Sequence, residues 1–293
     1  MVNLKGIFTA LVTPFDKGRL DEGSLVRLLE HQLEYGVQGF VVSGTTGESP
    51  TLSTEEKLEL FSMVKKQVAG RVPLVMGTGT NSTEETIRLT EKAAQSGADA
   101  ALVVVPYYNK PPQRGLIEHY QKIANASSIP ILLYNVPSRT VAGLTLDSIE
   151  QLSKHPRIIG IKEATGDMEF ARQIREKTQK EFLLTSGDDE TWLRLLALGG
   201  GGVISVLSHV IPGPMRILAQ QIQTGDLNAH EQFEDYKELV KLLFIEANPI
   251  PVKYALYLMG LLSSPELRLP LVTLGSAHQE ALKKEMMRLE VLS

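Results

Sequence analysis

The 293 residues include no cysteine, so the chain has no disulfide, no thiol nucleophile and no thiolate ligand for zinc. The histidines are few and scattered: His31, His119, His155, His209, His230 and His278 form neither an HxH nor an HExxH pattern. That spacing argues against a histidine-built metal site. A basic excess is missing as well. Thirty Lys and Arg stand against 34 Asp and Glu, giving a net charge of -4 and a pI near 5.9, which disfavours nucleic acid and anionic membrane as partners. No apolar run approaches the roughly 18 to 20 residues of a membrane span. The opening MVNLKGIF has no signal-peptide core, so a cytoplasmic protein is expected. Low-complexity linkers and internal repeats are also lacking.

What the chain has is apolar material, 43% of its residues against 22% charged, enough for a large core. Short β-branched runs recur along it: GIFTALVTPF from Gly6, GFVVSG from Gly39, VPLVMGTG from Val72 and AALVVVP from Ala100. IPILLYNVP from Ile129, RIIGIKEA from Arg157, EFLLTSG from Glu181 and GGVISV from Gly201 complete eight candidate strands. Between them lie helical spacings such as Leu25, Leu28, Leu29, Gln32 and Leu33, or Leu58, Phe61, Met63, Val64 and Val68. Ser53 with Glu56 and Ser82 with Glu85 read as capping boxes, each opening a helix just after a strand and loop.

Near-continuous apolar strands separated by helices call for parallel pairing with both sheet faces covered, and eight such units close a barrel. The expected fold is an α/β (β/α)8 TIM barrel over residues 1–225, its eighth helix spanning Ile211 to Gln223. A C-terminal extension of about three helices, residues 226–293, is expected to pack on the barrel. An open doubly wound sheet is the alternative, but no GxGxxG fingerprint follows the first strand. The four glycines Gly199 to Gly202 read as a helix C-cap running into the eighth strand rather than as a phosphate cradle. SGDDE from Ser186 reads as a strand end followed by an N-cap at Asp188 or Asp189.

The anomaly is in RIIGIKEATGD, where Lys162 interrupts an apolar strand near its end. A buried amine needs water, a partner or neutrality. By strict alternation Lys162 shares the barrel interior with Ile158, Gly160 and Ala164 while Glu163 points away, and Gly160 leaves room beneath it. The C-terminal ends of barrel strands are where such enzymes build their sites. The bland alternative is a rim lysine reaching out to solvent. An amine that attacks a carbonyl must be neutral, and an apolar barrel mouth favours neutrality by desolvation. Other strand ends add hydroxyls: Thr45 and Thr46 in GTTGES, Tyr107 and Tyr108 in PYYN, and Tyr134 in ILLYNVP. Hydroxyls both donate and accept, so they suit proton passage between imine and enamine stages. Taken singly, each has a bland reading as turn, rim or strand stop; their joint placement at strand ends carries the weight.

GTTGESPTL from Gly44, GTGTNST from Gly77, PYYNKP from Pro106, YNVPSRT from Tyr134, GIKEATGD from Gly160, SGDDE from Ser186, GGVISV from Gly201 and NPIPVK from Asn248 together resemble the dihydrodipicolinate synthase branch of the pyruvate-dependent class I aldolases, related to N-acetylneuraminate lyase. The resemblance runs from the first strand into the tail. It implies a Schiff base between Lys162 and pyruvate, then attack of the enamine on L-aspartate 4-semialdehyde, then cyclisation to 4-hydroxy-tetrahydrodipicolinate, a step in lysine and diaminopimelate biosynthesis. It further implies that Tyr134 is the central proton carrier, and that Thr45 relays its proton toward a Tyr108 supplied across a dimer interface. Thr46 would hold the pyruvate carboxylate and Arg139 the carboxylate of the semialdehyde. Gly187 and the carbonyl of Ile204 would line the pyruvate site. No metal or organic cofactor is implied, and the expected assembly is a homotetramer built from two dimers.

The same resemblance places Ser49, Asn81, Glu85 and Tyr107 at an interface pocket for lysine, the pathway's end product. Sensitive relatives of one bacterial type carry histidines where this chain has Thr54 and Lys57. An added cation there predicts weak or absent inhibition by lysine. Two other functions compete. A sugar-acid lyase or 2-keto-3-deoxy aldolase would share Lys162 and Tyr134 but take a polyhydroxy aldehyde. A non-catalytic barrel that binds a keto acid would have no use for the lysine, tyrosine and threonine pair together.

Overall fold

A computed structural model describes residues 2–292. Each of the eight apolar runs forms a strand: β1 Gly6–Ala10, β2 Gly39–Val42, β3 Leu74–Gly77, β4 Ala100–Val104, β5 Ile131–Asn135, β6 Ile158–Glu163, β7 Leu183–Ser186 and β8 Gly202–Ser205. They form a closed barrel in the order β1, β8, β7, β6, β5, β4, β3, β2, and the registered pairs between them are parallel. Helices follow the strands in alternation. The fold is the expected (β/α)8 barrel, and the chain's runs read as unbroken apolar segments because parallel strands bury both faces. The residues group into two compact units, one made of those up to Gly6 with Pro73–Ile204, the other of Ile7–Val72 with those from Ser205 onward.

In the first unit, Ala101, Val103, Ile131, Leu133, Ile161 and Leu184 alternate along their strands into one buried cluster with Leu116, Tyr120, Ile123, Ile149, Leu152 and Ile174 from the helices. The intervening positions, among them Tyr134 and Lys162, take the opposite face. Strict alternation fails between β5 and β6. The register of β5 on β6 shifts between Ile131 and Leu132, so that Ile131 faces Ile158 while Leu132 faces Gly160. Ile158 therefore joins Ile161 in the helix-facing cluster instead of lying beneath Lys162. Gly160 also serves a neighbour other than the lysine: a Cβ there would stand 2.3 Å from the Leu183 carbonyl oxygen on β7. The glycine run ends a helix as expected. Trp192–Ala197 stops at Leu198, Gly199 takes φ +89°, and the amides of Gly199 and Gly200 donate to Leu196 and Leu195 carbonyls. The N-cap of that helix is Thr191, not Asp188 or Asp189, although Asp188 Oδ2 accepts the Thr191 amide at 2.9 Å and closes the entering turn.

In the second unit, Phe8, Thr9 and Ala10 pair with Gly39, Phe40 and Val41. Gly39 is required there, since a Cβ would lie 2.2 Å from the Phe8 ring. Ser53 and Glu56 form the expected capping box at the head of Thr54–Val68. In the first unit Ser82 accepts the Glu85 amide at the head of Thr83–Ser96. Against the expected about three, the described residues after the eighth barrel helix, Pro212–Gln223, form four helices: Asn228–Glu234, Lys237–Leu243, Ile250–Leu258 and Ser276–Arg288. Asp235 and Tyr236 separate the first two of these helices. No helix among the described residues is long and apolar enough to cross a membrane.

Candidate active site

Lys162 is the penultimate residue of β6 and is only 6% exposed. In the strand register it stands opposite Tyr134 on β5 and Thr185 on β7. Its amine lies 4.4 Å from the centre of the Tyr134 ring, so the sequence's two central candidates meet directly. Gly187 follows β7, and its amide donates to the Glu163 carbonyl at 2.7 Å. A Cβ at Gly187 would fall 2.6 Å from Lys162 Cε and 2.7 Å from Ala164 Cβ. The absent side chain is thus the space the lysine stem occupies. Ile204 is buried on β8.

Glu163, the next residue, is also buried, and burial raises its pKa even though Thr165 and Asn135 oppose the shift. Asn135 Nδ2 donates to Glu163 Oε2 at 2.8 Å, and Asn135 Oδ1 accepts the Leu144 amide at 2.9 Å. One side chain therefore ties the end of β5 both to the lysine strand and to the loop that carries Arg139. Arg139 itself is exposed on the short helix Pro137–Thr140. That helix is followed by Val141 at φ +65°, a conformation rare for a β-branched residue. Thr140 Oγ1 donates to the carbonyls of Val136 and Ala142 at 3.0 and 2.6 Å, holding the bend. Backbone strain of this kind concentrates at functional sites. After β4, Tyr108 also has positive φ, +73°, and is 88% exposed, with Tyr107 beside it at the surface.

Thr45 and Thr46 lie in the second unit, on the turn after β2. The turn is closed by backbone bonds: the Gly47 and Ser49 amides donate to the Gly44 carbonyl, and the Glu48 amide to that of Thr45. Thr13 Oγ1 donates to the Gly47 carbonyl at 2.7 Å. Thr45 is partly exposed and Thr46 buried. Asn248 Nδ2 donates to Thr46 Oγ1 at 2.9 Å. This occupies an acceptor of the hydroxyl and leaves its proton free to be donated elsewhere.

Glu48 and Lys253 close the same turn and were not singled out as functional residues from the sequence. Both side chains are fully buried, with Nζ 2.5 Å from Oε1. Burial lowers the lysine's pKa to about 8, and Glu48 opposes that shift. The available signal was that GTTGES and NPIPVK carry single charges of opposite sign, Glu48 and Lys253. Thr185, beside Lys162, was missed because LLTS reads as an ordinary strand.

The residues read as a lysine pocket are placed as follows. Ser49 begins the short 3-10 helix Ser49–Thr51. The Asn81 carbonyl accepts from Asn109 Nδ2 at 2.8 Å. The Glu85 carboxylate is gripped by Arg88 Nε and its terminal nitrogen at 2.8 and 2.6 Å. Among the described residues, no three His, Asp or Glu side chains are grouped to hold a metal ion.

A buried amine between a tyrosine and a threonine, at the C-terminal end of a barrel strand, has the geometry for imine chemistry with a small carbonyl compound. Comparison with known proteins leads to the same place. Residues 3–289 match the Dihydrodipicolinate synthetase family. The 4-hydroxy-tetrahydrodipicolinate synthase of Bdellovibrio bacteriovorus is 52% identical over 293 residues, covering 100% of both chains. That of Pseudomonas aeruginosa is 48% identical, over 99% of this chain and 100% of its own. Among solved structures, the chloride-inhibited dihydrodipicolinate synthase of Acinetobacter baumannii, complexed with pyruvate, superposes with a TM-score of 0.96 at 40% identity, covering 99% of this chain and 100% of its own. Full-length identity at this level, on the same barrel and with the lysine and tyrosine paired, places the chain in the dihydrodipicolinate synthetase family.

Proposed function

We propose that this enzyme condenses pyruvate with L-aspartate 4-semialdehyde to 4-hydroxy-tetrahydrodipicolinate, in lysine and diaminopimelate biosynthesis. The observation that carries the proposal is the buried amine of Lys162 opposite Tyr134. Lys162 Nζ attacks C2 of pyruvate, and the carbinolamine loses its hydroxyl as water, with Tyr134 supplying the proton. The resulting iminium draws electrons from C3, whose proton passes to the Tyr134 oxygen as the enamine forms. C3 then attacks the aldehyde carbon of the semialdehyde, whose oxygen takes the Tyr134 proton. The amino group of the adduct attacks C2, closes the ring and releases Lys162 as a free amine. The lysine nitrogen is itself the electron sink, so the sequence of steps calls for no metal or organic cofactor.

Thr46, with its hydroxyl proton and amide, holds the pyruvate carboxylate, and Gly187 and the Ile204 carbonyl line the same site. Thr45 passes the Tyr134 proton toward Tyr108 of a neighbouring subunit; the outward projection of Tyr108 supports that role. The assembly is a homotetramer of two dimers, and the enzyme is cytoplasmic. Arg139 binds the semialdehyde carboxylate, for which a forked, permanently charged guanidinium is suited. Residues 226–293 form an extension of the barrel that supplies Asn248 and Lys253 to the threonine turn.

Borohydride reduction in the presence of pyruvate, followed by mass spectrometry, is the first test: a pyruvyl label on Lys162 is expected, and its absence sinks the proposal. A panel of aldehydes then fixes the second substrate. Preference for a sugar aldehyde would replace the semialdehyde with the lyase alternative. Feedback by lysine is weak or absent, since the Glu85 carboxylate is engaged by Arg88 and Lys57 adds a cation. Half-inhibition below millimolar lysine would refute this.

A further inference from the structure

The chemistry above makes no use of the buried pair formed by Glu48 and Lys253. Enclosing two charges is expensive, and a hydrophobic pair of similar volume is often at least as stable. Stability alone is therefore a poor reason for such a pair, and what it fixes in space is the better question.

Glu48 is held from two directions. Its Oε1 makes a charge-to-charge contact with Lys253 Nζ, and its Oε2 accepts the Arg268 amide at 2.9 Å. Its backbone sits at φ +53°, a left-handed conformation that a glutamate adopts only when its surroundings impose it. The Glu48 amide donates to the Thr45 carbonyl at 3.1 Å, so the glutamate and the first threonine belong to one hydrogen-bonded turn. On the other side, Lys253 Nζ donates to the Glu266 carbonyl at 2.8 Å and lies 4.3 Å from the centre of the Phe15 ring. Lys253 belongs to the helix Ile250–Leu258. Just before that helix, Asn248 donates to Thr46. One segment of the tail thus grips the turn at both of its functional ends.

We propose that Lys253 is a positioning residue: its ammonium locks Glu48 and so holds the Gly44–Glu48 turn in the conformation that aims the Thr46 hydroxyl and amide at a keto-acid carboxylate. This rests on the function proposed above.

The test measures the pyruvate concentration that half-saturates borohydride labelling of Lys162, in the unaltered protein and in Lys253→Met, Glu48→Gln, Thr46→Ala and Lys253→Met/Thr46→Ala. Circular dichroism checks that each is folded. Lys253→Met is expected to raise the half-saturating concentration about tenfold, the scale of losing one charge-assisted carboxylate contact, while full labelling is still reached in excess pyruvate. Glu48→Gln raises it in the same direction. The double variant is expected to lose less than the product of the two single effects, because with the hydroxyl already gone only the residue-46 amide is left to aim. Unchanged half-saturation in a folded Lys253→Met, or effects that simply multiply in the double variant, overturns the proposal. Should Lys253→Met fail to fold, Glu48→Gln carries the same readout, and a normal half-saturation there overturns it equally. An unaltered protein that takes no label defeats the parent function and this inference together, whereas variants that match a labelled parent defeat this inference alone.

Discussion

Gly187 and Lys162 share one volume: any Cβ on the glycine would come within 2.6 Å of the lysine's Cε and 3.0 Å of its Cγ. Gly187→Ala must therefore push the lysine stem aside or distort the end of β7, which the Glu163 carbonyl holds through the Gly187 amide. A displacement of about 1 Å at a reacting nitrogen is enough to lose on the order of a hundredfold in rate. The expected outcome is a folded protein whose pyruvate labelling by borohydride slows by about that factor. Labelling at the parent rate would show that the lysine does not need the space.

Lys162→Ala is expected to lose the pyruvyl adduct and nearly all turnover. Tyr134→Phe keeps the ring beside the amine but removes the proton carrier. General acid and base groups contribute roughly 100- to 10,000-fold, so kcat should fall by about that range while the adduct still forms slowly on Lys162. Stopped-flow or timed-quench labelling separates the two. A Tyr134→Phe variant with parent kcat would remove the tyrosine from the proton path.

Arg139→Ala should leave labelling by pyruvate intact and weaken use of the semialdehyde, because the exposed guanidinium on the helix after β5 is assigned to the second substrate's carboxylate and not to imine formation. Loss of one charge-assisted contact of about 1.5–3 kcal/mol predicts a fall of roughly 10- to 150-fold in kcat/KM for the semialdehyde. Unchanged semialdehyde kinetics would strike Arg139 from the site.

Two buried histidines set an acid limit to stability. His209 accepts the Val12 amide at Nε2, 3.2 Å, and its Nδ1 faces the Val206 carbonyl at 3.0 Å, which fixes a neutral ring with the proton on Nδ1. Burial lowers its pKa to about 4 from 6.5, with the Val206 carbonyl opposing and nearby His31 reinforcing the shift. Burial alone lowers His119, which faces Thr83 Oγ1, to about 4 as well. Each folded-state pKa lies below the unfolded value, so the unfolded chain binds more protons between about pH 6.5 and 4. Stability is thus full above 6.5 and lost as the pH falls through that window, by at most about 3 kcal/mol per ring. Melting temperature against pH measures this. The slope should shrink in a folded His209→Gln variant, and an unchanged slope there would exclude His209 as a cause.

The barrel was readable from sequence because its parallel strands are buried on both faces and mostly apolar, leaving eight contiguous runs with little to confuse them. Lys162 was readable for the converse reason, as a charge that such a run should not tolerate without a purpose. Pairings between strands were less accessible. The slipped register at Ile131 and Leu132 leaves no mark in composition, so strict alternation assigns Ile158 to the wrong face, and the close approach of Leu183 to Gly160 is invisible before the strands are paired. Glu48 and Lys253 were out of reach for a simpler reason: each has an ordinary surface reading until the fold buries them against one another.

The unit that carries the threonine turn is assembled from two lengths of chain separated by all of Pro73–Ile204. Thr46 and its partner Asn248 are 202 positions apart, and Glu48 and the Arg268 amide 220. During synthesis, β1 and β2 leave the ribosome long before the segment that caps them, and until it arrives the Glu48 carboxylate has no counter-ion to be buried with. The early strands must wait, open to solvent, until that distant segment is made. A nascent protein stopped short of Lys253 would expose this half of the barrel to chaperones and proteases while the middle of the sequence already has its own core.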